Sequence, residues 1–448
     1  MAAFSNRLSR WTLPVFACAL VNFLAAQGLI LAGLSWPMRP VSAPGTLATV
    51  HLLTVGWLLL LMFGALFQFV PVITSRPLVS QRRVLWTLIT VQLGLMGMIC
   101  GFFGAAAGSP ALAIALPAGG AMVILGVLLA LWNIGVPLLS SRPLTLPGRM
   151  LLSGLAFLLV TVILGISFAL AFTVPVLAPY VAPLLGGIGG HALAGLGGWF
   201  TLAAMGVTYK LLPMFMLAPE DRGIVGDCVH ILGTSGFALA VGAGLARIWT
   251  PGELLWIAES TGFMAIVISV AVYLWDIVRI YRTRKRVIIE AHNKAAVGAF
   301  GFLGLGAASA LGLLATGGLG AGSPAIVFLM VFGWLGGLGL TQLYKIIPFL
   351  TWLLRYGGSL GRGPVPRVQD LVKERRGYTW FALYFLGVLF GAASLLAGTA
   401  QGFRVSLSLI ALATLGLVTE YWRAWRCHYT GVRHGQSSTR PFVANHGG

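Results

Sequence analysis

Two histidines stand apart in this chain because each lies inside a long apolar run, at nearly the same distance from a proline. His51 is 20 residues before Pro71 in HLLTVGWLLLLMFGALFQFVP, and His191 is 22 before Pro213 in HALAGLGGWFTLAAMGVTYKLLP. On a helix, two residues of offset are about 3 Å of rise, so the two imidazoles hang near one level. Ionisable groups inside apolar spans are costly and mark cavities, partners or cofactors. Neutral imidazole is a favoured ligand for iron and copper, so a pair at matched depth points to a metal or haem iron held between helices. The competing account is structural: each ring bonds a backbone carbonyl or a neighbouring hydroxyl. The other histidines read as interfacial or exposed. His230 and His292 fall at the ends of the seventh and ninth spans, and His428, His434 and His446 lie in the tail. The loose spacing of His428 and His434 does not make a zinc motif. Glu259, Asp276 and Glu420 are the acids in or beside spans, all placed near span ends. They do not form the chain of buried acids and hydroxyls that a proton pump needs.

The helices that carry these residues share a pattern. Trp57, Gly64, Phe67, Gln68 and Pro71 recur in register as Trp199, Gly206, Tyr209, Lys210 and Pro213, and again as Trp334, Thr341, Tyr344, Lys345 and Pro348. The prolines are 142 and 135 residues apart (213 − 71 and 348 − 213). A repeat of that length is one structural unit used three times. Trp57, Trp199 and Trp334 lie mid-helix, where packing between helices is expected and stacking on a flat ring is the alternative. Lys210 and Lys345 lie about one turn before the end of the helix, from which long amines reach the headgroups; Tyr209 and Tyr344 belong to the same cavity-facing or packing set.

Composition sets the class. The 448 residues are 58% hydrophobic and 9% charged, with mean hydropathy +0.93. Apolar runs of about twenty residues, each long enough to cross a bilayer, fall roughly at 11–35, 47–74, 84–107, 111–139, 149–175, 184–216, 227–249, 254–281, 293–317, 323–353, 377–398 and 403–426. The first is long for a signal peptide and reads as a retained span. The net charge of +19 does not mark a nucleic-acid binder, because the basic residues cluster in every second loop. Arg7, Arg10, Arg76, Arg82, Arg83, Arg142, Arg149 and Arg222 lie on one side, with the dense groups around 279–294, 355–376 and 423–440; Arg39, Arg247 and Arg404 lie on the other. This positive-inside pattern puts both termini in the cytoplasm of a bacterial-type inner membrane, with anionic headgroups as incidental partners. The expected fold is all-α: twelve transmembrane helices in three parallel four-helix pseudo-repeats, at about 11–139, 149–281 and 293–426. They form one membrane domain with a cytoplasmic tail at 427–448. Cys18, Cys100, Cys228 and Cys427 form no CxxC pair and read as free thiols, and the lack of CxxCH excludes a covalent c-type haem.

Twelve spans, cytoplasmic termini and three parallel four-helix units together resemble subunit I of the haem–copper oxidases and nitric oxide reductases. In that family a histidine in the outer half of the second helix ligates the low-spin haem, and His51 matches that place. A histidine of the sixth helix ligates the copper or non-haem iron, and His191 is the candidate match. The departures are large. The tenth helix, SPAIVFLMVFGWLGGLGLTQLYKIIPFL, has none of the family's two histidines. The seventh has only His230, at the wrong end, and Tyr209 is many turns from His191. A binuclear centre cannot be assembled from these residues, and copper is not expected. The resemblance implies a divergent member that keeps one b-type haem, with His51 and His191 as iron ligands. Its role would be electron transfer or the sensing or handling of nitric oxide, oxygen or haem, with a cytochrome c or an oxidase subunit as partner. If it is an enzyme, it is a haem-dependent oxidoreductase and not a conventional terminal oxidase. A transporter for a small molecule or metal, and a cofactor-free assembly or scaffold subunit, are the alternative readings.

Overall fold

The computed structural model describes residues 2–220, 222–316, 319–359 and 365–426. The tail at 427–448, with Cys427 and three of the histidines, lies outside the described residues. Among the described residues, twelve helices are long and apolar enough to cross a membrane. They run Trp11–Leu31, Pro44–Thr74, Gln81–Ala106, Pro110–Ser140, Leu146–Thr173, Ile188–Met216, Gly223–Trp249, Glu253–Arg282, Ala291–Ala315, Gly322–Ser359, Glu374–Leu396 and Ala400–Arg426. No strand occurs among the described residues. The chain is an all-helical, multi-pass membrane protein. Prolines open the second and fourth helices, where a missing amide hydrogen costs nothing.

The second, sixth and tenth helices are 67, 78 and 72% buried over their most apolar stretch, against 50% or less for every other helix. They therefore form the centre, and the other nine surround them. The third and fourth helices close on each other where Gly94 meets Gly119, and the seventh and eighth where Gly236 meets Gly262. Small residues at such crossings let backbones approach where no hydrophobic force between helices exists in lipid.

Each central helix widens into a π-helical stretch at the same place: Leu52–Leu59, Leu193–Thr201 and Leu329–Gly336. Each stretch contains a Gly-Trp pair, at 56–57, 198–199 and 333–334. The glycines are needed because a neighbouring helix presses on them. A Cβ on Gly56 would lie 2.7 Å from the Asn22 side chain, on Gly198 2.4 Å from Phe157, and on Gly333 2.7 Å from Phe302. A π turn weakens its own hydrogen-bond ladder, and in an apolar interior the loosened carbonyls need donors. Asn22 Nδ2 donates to the Gly56 carbonyl at 3.2 Å, Thr201 Oγ1 to Leu196 at 2.8 Å, and Tyr384 OH to Phe332 at 2.8 Å.

Candidate functional site

The structure places His51 at the end of the first α-helical turns of the second helix, just before its π stretch. Its Nδ1 bonds the Leu47 carbonyl at 2.7 Å. A carbonyl only accepts, so Nδ1 carries the proton and Nε2 carries the free lone pair. The Phe102 ring of the third helix lies 5.0 Å away. His191 occupies the corresponding turn of the sixth helix, also just before the π stretch. His191 Nδ1 has no hydrogen-bond partner. Phe168 packs edge-on at 5.5 Å, and Gly165 leaves room: a Cβ there would sit 3.2 Å from His191 Cε1.

The two imidazoles thus stand on equivalent turns of two central helices, each with a ring nitrogen not consumed by the protein and each flanked by a phenyl group. Among the described residues no three or more His, Cys, Asp or Glu gather as a metal cage. A pair of imidazoles is the donor set of an axially ligated haem rather than of a protein-only zinc or copper site.

The tryptophans serve a different level. Trp57 is about 9 Å of helix rise from His51, and Trp199 about 12 Å from His191. All three indoles are fully buried and all three Nε1 atoms lack partners. Trp57 stacks on Phe23 at 4.8 Å and reaches Gly339 of the tenth helix. Trp199 packs on Gly154 and Phe63, and Trp334 on Phe300 at 5.7 Å. Each therefore wedges between its own helix and its neighbours, away from the imidazoles.

The lysines meet carboxylates near the ends of their helices. Lys210 Nζ meets Glu220 at 2.6 Å and Lys345 Nζ meets Glu290 at 2.5 Å, while Gln68 donates to Thr12 at 2.7 Å. Tyr209 packs edge-on against Tyr273 at 5.2 Å, and Tyr344 donates to the Lys373 carbonyl at 3.0 Å. His230 bonds Ser153 at 3.1 Å. His292, read from sequence as interfacial, is only 2% exposed. It sits 3.6 Å from Glu290 and edge-on to Phe215. Asp276 and Glu420 lie near the ends of their helices, as expected, and are buried.

Sequence reading missed a cavity of about 90 Å³ between the three central helices. Counted back from Pro71, Pro213 and Pro348, its lining falls at shared offsets. Leu58, Phe200 and Leu335 stand 13 residues before the prolines, and Met62, Ala204 and Gly339 nine before. Ala65, Val207 and Gln342 stand six before, and Phe69, Leu211 and Ile346 two before. The 4-3-4 spacing is one helix face, and could have been found by aligning the repeats and asking which face is never charged. The space exists because two layers hold small residues, Ala204 and Gly339 in one and Ala65 in the next. No protein-family model and no curated protein matches this chain.

Proposed function

We propose that this chain is a haem-binding membrane protein with the plan of haem–copper oxidase subunit I and without a binuclear centre. His51 and His191 would hold one b-type haem, and the protein would transfer electrons or handle nitric oxide, oxygen or haem. The observation that carries the reading is the pair of imidazoles on equivalent turns of the second and sixth helices, each with a free ring nitrogen. The three π stretches, the Gly-Trp pairs and the layered lining at matched offsets support three parallel four-helix units. Alternating basic loops support cytoplasmic termini. Haem, when bound, would supply one-electron chemistry.

The chain's own residues would do the rest. The Leu47 carbonyl fixes the His51 tautomer and ring direction, as outer partners of ligating imidazoles do. Phe102 and Phe168 keep water from the site, and Gly165 clears space beside His191. A cytochrome c or an oxidase subunit is the partner class that an electron-transfer role requires.

The test is a reduced-minus-oxidised optical spectrum of protein purified after haem-replete expression, beside His51→Ala and His191→Ala. A sharp b-type α-band lost in both variants is the expected result. A wild type with no Soret band ends the haem reading and turns attention to transport and to partner pull-down.

A further inference from the structure

The fourth, eighth and twelfth helices each carry, toward the basic-loop end, a tryptophan that is half or more exposed and has an arginine over its ring. Arg83, from the start of the third helix, lies 4.2 Å from the Trp132 ring centre. Arg279 lies 5.5 Å from that of Trp275, and Arg426 4.5 Å from that of Trp422. The eighth and twelfth helices supply a carboxylate of their own beside the pair: Asp276 meets Arg279 at 3.0 Å, and Glu420 meets Arg423. On the fourth helix the place of Asp276 is taken by Asn133, which is neutral and already spent on the Ser80 backbone. Nor does any neighbour in the chain supply an acid, since no Asp or Glu occurs before Glu220. Arg76, Arg82 and Arg142 stand in or beside the two connections at the same end and add to the excess. Among the described residues none of these four arginines forms an ion pair.

Like charges gathered without a counter-charge repel one another, and an anion from outside relieves that. The surroundings select which anion. The third and fourth helices are among the least buried, at 28% each. From the Arg83–Trp132 pair an exposed apolar stripe runs away from the loops on both, through Trp86 and Leu93 on one and Leu128 and Leu125 on the other. An occupant therefore meets guanidinium at one end and hydrocarbon along the rest. An arginine stacked on indole still offers its edge to phosphate oxygens, and basic clusters at a helix end are where anionic lipids bind. We propose that the third and fourth helices hold one anionic phospholipid, its phosphate on Arg83 with Arg82 beside it and its acyl chains along the two stripes. The equivalent arginine of the eighth helix, already tied to Asp276, holds none. The inference is independent of haem.

The test is native mass spectrometry of the purified full chain, stripped of lipid and titrated with phosphatidylglycerol or with zwitterionic phosphatidylcholine. The wild type should retain one phosphatidylglycerol in preference to phosphatidylcholine. Arg83→Gln should weaken that preference about fivefold, one arginine's share at an anionic lipid surface. Asn133→Asp, which gives the fourth helix the carboxylate that the eighth has, should weaken it as much without removing an arginine. If that variant does not fold, Arg82→Gln combined with Arg83→Gln should weaken it about twenty-five-fold. Arg279→Gln should leave it unchanged. No preference in the wild type, an Arg83→Gln protein that binds as the wild type does, or an equal loss from Arg279→Gln would each overturn the site. Displacement of the lipid by inorganic phosphate at matched concentration would show a free-anion site. An acidic protein retained through Arg83 in place of lipid would show a partner surface, and either result would overturn the lipid assignment.

Discussion

Gly198 shows how much a single methyl decides. Its missing Cβ would overlap the Phe157 ring at 2.4 Å, and a ring root cannot swing aside as a flexible chain end can. Gly198→Ala should lower stability by about 1–3 kcal/mol through overpacking, read as a drop in thermal unfolding midpoint in detergent. Gly242 is the control, since a Cβ there meets nothing within 4 Å and alanine is the better helix former. Gly242→Ala should be neutral or stabilising, and equal losses at both sites would refute the close-approach account. Charge acts as locally at Glu290, just before the ninth helix. Burial pushes its carboxyl up, but the Lys345 bond and charge, with His292 and Arg286, outweigh burial and hold it below the ordinary glutamate range. A carboxyl depressed on folding contributes stability that is full above the unfolded value of about 4.3 and is lost as pH falls through the lower folded value. Acid titration of unfolding should therefore show a loss confined to pH below about 4.3. Glu290→Gln should be less stable at neutral pH and should lack that component.

Helices were the legible part of this chain, and their reasons for being irregular were not. Span number and limits follow from apolar length, which each segment carries in its own residues. The prolines, tryptophans and paired histidines were visible as spacing. The π stretches were not, because each sits where another helix presses on its glycine, and Asn22, 34 residues before Gly56, both presses and donates. The Gly-Trp pair stood in all three helices, yet nothing in one helix says what its glycine touches. The lysine partners were hidden for the same reason, since Glu290 is 55 residues from Lys345. Asn22→Leu removes this donor, together with its 2.9 Å bond to Gln92. It should cost about 0.6–1.7 kcal/mol, the range for hydrogen bonds between membrane helices. It should also speed hydrogen–deuterium exchange across 52–60 while leaving the stretch Leu329–Gly336, served by Tyr384, unchanged. Faster exchange in both stretches would mean global loosening and no specific role for Asn22.

At the scale of the molecule, the fourth, eighth and twelfth helices each bury one polar side chain that clasps the start of the helix before it. Asn133, in Leu131-Trp132-Asn133-Ile134, bonds the Ser80 backbone amide at 2.8 Å and carbonyl at 3.0 Å. Asp276, in the matching Leu274-Trp275-Asp276-Ile277, lies 3.6 Å from Arg222 and 3.0 Å from Arg279. Glu420 meets Arg376 at 3.9 Å and Arg423 at 2.5 Å. One position in the plan is thus filled by three chemistries, and their energies should differ by burial. Arg222 is 3% exposed at its side chain, so Asp276→Ala strands a buried cation and should cost about 3–5 kcal/mol. Asn133→Ala leaves one amide and one carbonyl short of a partner and should cost about 1–3 kcal/mol. Arg376 and Arg423 are 50 and 58% exposed, so water rescues them, and Glu420→Ala should cost no more than about 1 kcal/mol beyond lost packing. Unfolding midpoints of the three alanine variants should fall in that order, Asp276 lowest. An Asp276→Ala protein as stable as Glu420→Ala would show that Arg222 finds water or a second partner there, and that the clasps set helix register without setting stability.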